Sequence, residues 1–186
     1  MRVPEILSPE RCALLVVDIQ ARLMPVINGG EMVLKNAALL LKAAKILKME
    51  VVATTQYAAR IGELLTEIQA ELAGVEVLDK MHFSCFANGA IQARIKELPA
   101  SVNTLIICGV ETHICIYQTV AGALRNGYRV VVAADAVSSR TVKNHKLGLA
   151  RLRELGAAVA STEMVIYELL GEAGTPEFKE LLPFLK

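Results

Sequence analysis

The chain has 186 residues, a length that suits one domain and allows a sizeable core to be buried. Its 20 Lys and Arg against 19 Asp and Glu leave a formal charge of +1, so charge alone gives no reason to expect nucleic acid or an anionic membrane as a partner. Hydrophobic residues make up 54% and charged residues 21%, which excludes intrinsic disorder. The apolar excess also predicts a homo-oligomer.

Short apolar runs alternate with longer amphipathic segments along the chain. Continuous β-branched runs are typical of strands in a parallel sheet covered on both faces. They predict six strands, at residues 13–17, 51–55, 75–78, 104–108, 129–133 and 157–160. Helical periodicity predicts seven helices, at residues 31–49, 61–72, 89–98, 112–126, 141–155, 163–170 and 175–182.

This alternation predicts the fold class α/β. We expect a three-layer α/β/α sandwich, Rossmann-like, built on a six-stranded and mostly parallel sheet with right-handed crossovers. The sequence contains no internal repeat, low-complexity tract or Pro/Gly/Ser-rich linker. A single domain over residues 1–186 is therefore the prediction.

One apolar stretch, residues 104–124, has the length of a membrane span. Glu111 and His113 lie mid-way along it, and Gly109 separates a strand-like half from a helical half, so we expect no membrane insertion. Charged residues interrupt the first 18 positions, which argues against a signal peptide and predicts a cytoplasmic location. The four cysteines show no CxxC spacing, so no disulfide is expected. They are Cys12, Cys85, Cys108 and Cys115.

Three chemical groups fall on the sheet edge where such folds bind ligands, beyond the carboxyl ends of the strands. Asp18 follows the first predicted strand, Lys80 follows the third, and a turn after the fourth leads to Cys115. Alone, each residue has an ordinary structural explanation: a turn cap, a solvated loop charge and a small core residue. Their coincidence on one edge favours a nucleophile with its helpers.

The position of Cys115 suggests how such a site would work. A helix beginning near Thr112 would place Cys115 about one turn from its N-terminus, where the helix dipole favours a thiolate, and Lys80 would stabilise that thiolate further. Asp18 would take the thiol proton and return it to a leaving amine. Backbone N–H groups of the turn from Thr112 to Cys115 would receive the developing oxyanion.

Four ordered blocks carry a resemblance to a known family: LLVVDIQ at 14–20, DKMHFSCF at 79–86, CGVETHICIYQTV at 108–120 and ADAVSSR at 134–140. The chain resembles the isochorismatase-like cysteine hydrolase superfamily, and within it the isochorismatase domain-containing proteins. The resemblance implies an Asp–Lys–Cys triad of Asp18, Lys80 and Cys115, with Cys115 attacking an amide-like carbonyl. It also implies a cis peptide bond between Val110 and Glu111, in the turn that leads through Thr112 to the nucleophile.

The chain departs from some members of that superfamily. Nicotinamidases hold a metal through an Asp-x-His motif after the second strand, where this chain has ATTQYA at 53–58. We therefore predict no catalytic metal and no cofactor, and nicotinamide becomes a less favoured substrate. Isochorismatases proper lack the nucleophilic cysteine, so Cys115 argues against isochorismate itself.

The resulting hypothesis is a cysteine hydrolase that cleaves a small amide, carbamoyl or related C–N substrate through an acyl-enzyme on Cys115. Candidates for the substrate pocket are Gln20, Tyr57, His82 and Phe86, although core packing or a surface role is the commoner fate of such residues. Two alternatives stay open. The chain could bind a metabolite or partner without catalysis, or act as a thiol-based redox sensor that uses Cys115 with Cys85 or Cys108.

Overall fold

The structure, a computed structural model, describes residues 6–185. Its centre is one six-stranded sheet in which every neighbouring pair is parallel, in the order β3-β2-β1-β4-β5-β6. The strands are β1 (Cys12–Val17), β2 (Glu50–Gln56), β3 (Val77–Lys80), β4 (Thr104–Val110), β5 (Arg129–Ser138) and β6 (Ala158–Ala160). The predicted α/β class and the six strands are confirmed.

The helices lie between and after the strands. They are α1 (Gly30–Ile46), α2 (Ala58–Ile61), α3 (Thr66–Glu71), α4 (Gly89–Lys96), α5 (Tyr117–Arg125), α6 (Val142–Glu154), α7 (Thr162–Leu170) and α8 (Pro176–Leu181). A π-helical turn, Thr112–Ile116, precedes α5, and short 3-10 helices occur at Pro9–Arg11, Met24–Val26, Cys85–Ala87 and Leu182–Phe184. Between residues 6 and 185, no helix combines the length and the apolar character that a membrane span requires.

Two apolar cores hold these layers together, one on each face of the sheet. Successive side chains of a strand point to opposite faces, so Leu14 and Val16 enter one core while Leu15 and Val17 enter the other. Buried residues of α1, α3, α7 and α8 complete the first core, and those of α4, α5 and α6 complete the second. The predicted three-layer sandwich is therefore present.

Several predicted elements differ from the observed ones. The helix expected at 112–126 begins with the π-helical turn, so α5 starts only at Tyr117, and the strand expected at 129–133 continues to Ser138. The helix expected at 61–72 is two short helices, because Gly62 takes a φ of 87° that ends α2 and Leu64 forms an isolated bridge with Gln20. The strand expected at 75–78 is β3, which lies further along and ends at Lys80. Backbone pairing of Asp79 and Lys80 with β2 extends this strand, and that pairing does not depend on whether the side chains are apolar.

The strand order reverses direction between β1 and β4, and the two strand ends approach each other closely there. In open α/β sheets such a switch point is where ligands bind. Gly109, near the end of β4, has a φ of 117°, and a Cβ at this position would lie 1.9 Å from the carbonyl oxygen of Val17. Only glycine allows the two backbones to come this close.

Replacing Gly109 with alanine should therefore disrupt the packing of β1 against β4. We expect Gly109→Ala to lower the free energy of unfolding by roughly 3–6 kcal/mol, since the added carbon meets backbone atoms and the φ is unfavourable. Gly127→Ala is the matched control, because Gly127 has a φ of 85° but a Cβ there would meet no other part of the chain within 4 Å. The control should lose only about 1–2 kcal/mol in urea denaturation. Equal losses would contradict this account of Gly109.

Candidate active site

A buried ion pair lies at the carboxyl ends of β1 and β3. Lys80 Nζ is 2.6 Å from Asp18 Oδ2, and the two residues are 1% and 0% exposed. Thr54 on β2 donates its hydroxyl to Asp18 Oδ1 at 2.9 Å, and Lys80 also donates to Gln56 Oε1 at 2.8 Å. Both charged groups thus have further hydrogen bonds, as buried charges require.

Strand alternation explains why Lys80 and not its neighbour Asp79 joins this cluster. Gln56 pairs with Lys80 across β2 and β3, so their side chains share one face, where Lys80 is buried. Thr55 pairs with Asp79, and its hydroxyl donates to Asp79 Oδ1 at 2.8 Å on the opposite face. The Lys80 ammonium therefore lies in the site, while the Asp79 carboxylate lies on the other face of the sheet.

Cys115 completes the cluster from the turn after β4. It lies close enough to Asp18 and Lys80 for both charges to act on the pKa of its thiol: Asp18 raises that pKa and Lys80 lowers it. The residue is 6% exposed, more than either Asp18 or Lys80. The peptide bond between Val110 and Glu111, just before the turn, is cis. The structure thus brings together the three side chains that the sequence placed on one sheet edge.

The expected thiolate is not the resting form of Cys115. Burial, followed by the negative charge of Asp18, raises the pKa of Cys115 to about 12, and the opposing effect of Lys80 is smaller. The sequence-based expectation is wrong because it counts the helix dipole and Lys80 but neither burial nor the adjacent carboxylate. At neutral pH the residue is a thiol beside a carboxylate.

Burial also shifts the two charged partners. Burial raises the pKa of Asp18, although Lys80 and the hydrogen bonds from Lys80, Thr54 and Cys115 oppose this effect. For Lys80, burial alone would lower the pKa, but the charges of Asp18, Cys115 and Cys85 outweigh it and the pKa is raised. Lys80 therefore stays protonated, and Asp18 is a stronger base than an exposed aspartate.

The turn before Cys115 is fixed by contacts with the segment after β5 and with α6. Glu111 is buried and accepts hydrogen bonds from the backbone N–H and the guanidinium of Arg140, at 2.8 and 3.2 Å. Thr112 Oγ1 lies 2.9 Å from His145 Nδ1. Packing is tight here, since a Cβ on Gly148 of α6 would lie 2.9 Å from the methyl group of Thr112.

Two further residues lie near the site, of which the sequence suggests Cys85 only for the redox alternative and assigns no role to His145. Cys85 is completely buried, its backbone N–H donates to Thr119 Oγ1 at 3.0 Å, and its charge state is coupled to Asp18 and Lys80. His145 is partly buried against Thr112, and burial lowers its pKa. The four-residue spacing of His145 from Thr141, the N-cap of α6, is the available signal that it lies on the first turns of this helix.

The four predicted pocket residues occupy different environments. Gln20 is fully buried and its amide bonds to the backbone of Gln56 and Gly62, so it does not face open space. Phe86 is a core residue, with its ring 6.1 Å from that of Tyr128. Gln20 and Phe86 therefore do not line an open pocket as predicted, because each lies on the inward side of its loop.

The other two pocket candidates lie at the surface near the site. Tyr57 is 38% exposed, and its backbone N–H donates to the carbonyl oxygen of Lys80 at 3.0 Å. His82 is exposed in the loop that follows Lys80, between the exposed side chains of Met81 and Phe83. These two positions therefore remain candidates for substrate contact.

No group of three or more His, Cys, Asp or Glu side chains that could hold a metal ion occurs among the residues that the structure describes. The four cysteines are free thiols and all are buried. Cys108 differs from Cys115 in an informative way: burial alone raises its pKa to about 12, without any effect of Asp18 or Lys80. It is thus a natural control for Cys115.

Comparisons with known proteins agree with this fold. The chain is 36% identical over 183 residues to the secreted isochorismatase effector Isc1 of Phytophthora sojae, a match that covers 97% of this chain and 87% of the relative. It is 33% identical over 180 residues to isochorismatase domain-containing protein 2A of Mus musculus, covering 96% and 84%.

Solved structures show the same architecture. The MAR1 ribonuclease from Caenorhabditis elegans aligns with a TM-score of 0.90 at 28% identity, over 97% of this chain and 92% of that chain. The YcaC gene product of Escherichia coli, an octameric hydrolase of unknown specificity, aligns with a TM-score of 0.88 at 21% identity, over 100% and 89%. A family model for the isochorismatase domain matches residues 12–164. The chain belongs to the isochorismatase family.

Proposed function

We propose that the chain is a cysteine hydrolase that cleaves a small amide, carbamoyl or related C–N substrate, with Asp18, Lys80 and Cys115 as its catalytic triad. One observation carries the proposal: Asp18 and Lys80 form a buried ion pair at 2.6 Å, and both of their charges act on the thiol of Cys115 beside them. A nucleophile bonded to a base that a third group orients is the arrangement of covalent acyl-transfer enzymes. Family membership supports the coarser statement, a hydrolase fold.

The proposed reaction has two halves. Asp18 takes the thiol proton as Cys115 Sγ attacks the carbonyl carbon, and the same proton then passes to the leaving nitrogen as the C–N bond breaks. Water attacks the resulting thioester, Asp18 takes a proton from that water, and the C–S bond breaks to release the acid and restore the thiol. The products are a carboxylic or carbamic acid and an amine, and water is the only co-reactant, so the steps need no cofactor.

Lys80 supports each step by charge. Its ammonium holds the Asp18 carboxylate in place and lowers the energy of the thiolate that forms during attack, since Lys80 acts to lower the Cys115 pKa. The negative charge on the sulfur forms only during attack on a bound substrate. An interaction that stabilises this charge therefore favours the transition state over the ground state, which speeds the chemical step. Lys80 is thus proposed to orient and stabilise, while Asp18 moves the proton.

Backbone N–H groups of the turn that follows Val110 and Glu111 are proposed to stabilise the oxyanion. Ile114 and Ile116 both donate their N–H groups to the carbonyl oxygen of Glu111, at 3.0 and 3.2 Å, so these two amides are already used. The proposed oxyanion donors are therefore the remaining amides of the turn, around Thr112 and Cys115. The contacts of Glu111 with Arg140 and of Thr112 with His145 would keep them in place.

The two alternative functions make different demands on the site. A redox sensor needs a thiolate, because the thiolate is the form that reacts with oxidants. The pKa values of Cys85 and Cys115 are raised to about 11 and about 12, which argues against the sensor. A binding member without catalysis would not need a buried ion pair beside a thiol, and burying such a pair costs free energy.

A small-molecule substrate is the proposed partner. Neither nucleic acid nor a membrane is proposed as a partner, on the charge of +1, although one structural relative is described as a ribonuclease. We also propose a homo-oligomer, because apolar side chains such as Met81, Phe83 and Met164 are more than half exposed and one structural relative is octameric. A cytoplasmic location stays a prediction.

Amide hydrolysis tests the function directly. Over a panel of small primary amides and carbamoyl compounds, ammonia release should occur with the wild type and fall by a factor of roughly 10⁴ or more in Cys115→Ala. Cys108→Ala, which removes an equally buried thiol outside the cluster, should retain wild-type release. The proposal would be overturned if the protein hydrolysed RNA and none of the amides, or if Cys115→Ala kept full activity.

Replacing Asp18 should make the Cys115 thiol more acidic but should slow catalysis. Asp18 raises the pKa of Cys115 more than Lys80 lowers it, so Asp18→Asn should lower that pKa and speed alkylation of Cys115 by iodoacetamide near neutral pH. Catalysis should nevertheless fall by about 10²–10⁴, because no group then moves the proton. Peptide mass spectrometry of the alkylated protein gives the first readout.

Asp79→Asn is the matched control for this experiment, because it removes a carboxylate one residue from Lys80 but on the opposite face of the sheet. Its alkylation profile should equal that of the wild type. Slower alkylation of Cys115 in Asp18→Asn would contradict the assignment of Asp18 as the group that keeps the thiol protonated.

A further inference from the structure

A chain of buried amides leads from the loop after β1 to Lys80. Gln20 binds the backbone of Gln56 at both ends: its Oε1 accepts from the Gln56 N–H at 2.8 Å, and its Nε2 donates to the Gln56 carbonyl oxygen at 3.1 Å. The side chain of Gln56 in turn accepts from Lys80 Nζ at 2.8 Å. Gln20 and Gln56 are 0% and 8% exposed, so water does not compete strongly for these bonds.

The orientation of the Gln56 amide is determined by its second partner. Its Nε2 donates to the carbonyl oxygen of Met81 at 2.8 Å, which leaves Oε1 as the atom that faces Lys80. An ammonium has only donors and a side-chain amide has both types of group, so this is the one orientation that satisfies both partners. Gln56 is therefore held at its backbone by Gln20 and at its side chain by Met81.

We propose that Gln56 is a positioning residue for the reaction, which holds the Lys80 ammonium in the direction required by Asp18 and Cys115. This inference rests on the proposed hydrolase function. Asp18 Oδ2 and Gln56 Oε1 accept two of the three N–H groups of Lys80, and two fixed acceptors define the direction of the third far better than one. A flexible lysine side chain needs such restraint to act as a fixed charge.

The neutrality of Gln56 matters as much as its geometry. The titratable groups that act on Cys115 are Asp18, Lys80 and Cys85, and those that act on Lys80 are Asp18, Cys115 and Cys85. Among these only Lys80 is positive, and in the proposed reaction the negative charge moves from Asp18 to the sulfur as the proton moves the other way, so Lys80 must balance that charge at both positions. A neutral acceptor holds Lys80 without drawing on that charge, whereas a carboxylate at the same position would compete for it.

The test compares Gln56→Glu with Gln69→Glu, a matched control in which the same change is made at an exposed glutamine on α3. The readout is the pH dependence of Cys115 alkylation by iodoacetamide, followed by peptide mass spectrometry. Gln56→Glu should slow alkylation about tenfold or more at each pH below the pKa of the thiol, which shifts the profile to higher pH, because a second negative charge lies near the thiol. Gln69→Glu should leave it unchanged. Identical profiles in Gln56→Glu and the wild type would overturn the inference.

Gln56→Asn keeps the inference testable if the buried glutamate prevents folding, which circular dichroism would show. Asparagine keeps the amide but is one methylene shorter, so it loses the contact with Lys80. We expect kcat to fall about tenfold or more with little change in KM, since the ammonium would no longer be fixed in the transition state. Unchanged kcat in a folded Gln56→Asn would count against the proposed role.

The alkylation readout separates this inference from the proposed function. Alkylation needs no substrate, so it reports on the cluster even if the chain hydrolyses no amide. A shifted profile in Gln56→Glu together with absent hydrolysis in the wild type would support the role of Gln56 in the cluster and overturn the hydrolase proposal. Hydrolysis in the wild type together with an unshifted profile would overturn the role of Gln56 alone.

Discussion

The buried ion pair between Asp18 and Lys80 is the interaction on which the rest of the site depends. Burying two charges costs several kcal/mol per ion, and their attraction offsets this only when further hydrogen bonds complete the geometry. Thr54 and Gln56 supply those bonds from the neighbouring strand. A well-packed apolar pair would hold the sheet edge together at least as well, so the stability of the fold does not explain the pair. The proposed catalytic role, which needs a fixed charge beside Cys115, does explain it.

This charge arrangement keeps Cys115, the proposed nucleophile, protonated at rest. The raised pKa of Cys115, about 12, follows from burial and from the Asp18 carboxylate, and the same carboxylate is the proposed acceptor of the thiol proton. One contact thus suppresses the free thiolate and also provides the route by which it forms. The thiol is consequently protected from oxidation and alkylation at rest, while the proposed attack on a bound carbonyl needs only a proton transfer to the neighbouring carboxylate.

The sequence predicts the position of a residue well where the order of strands and helices alone determines that position. Alternating apolar runs locate the strand ends, and these place Asp18, Lys80 and Cys115 on one edge of a parallel sheet. Gln56 and Cys85 are beyond such reasoning, because their contacts depend on strand register and on how a loop packs against α5. The acidity of Cys115 is wrongly predicted for a related reason: it is a balance of burial and opposing charges at short distances, which residue order does not contain.

The central claim is that Cys115 carries the acyl group of the substrate between the two halves of the reaction. The most direct measurement is the intact mass of the protein after rapid acid quenching during turnover of an amide, followed by peptide mapping. The account predicts a mass increase equal to the acyl part of the substrate, located on Cys115 and accumulating before steady state. Turnover without any adduct, or an adduct confined to Cys85 or another residue, would contradict it.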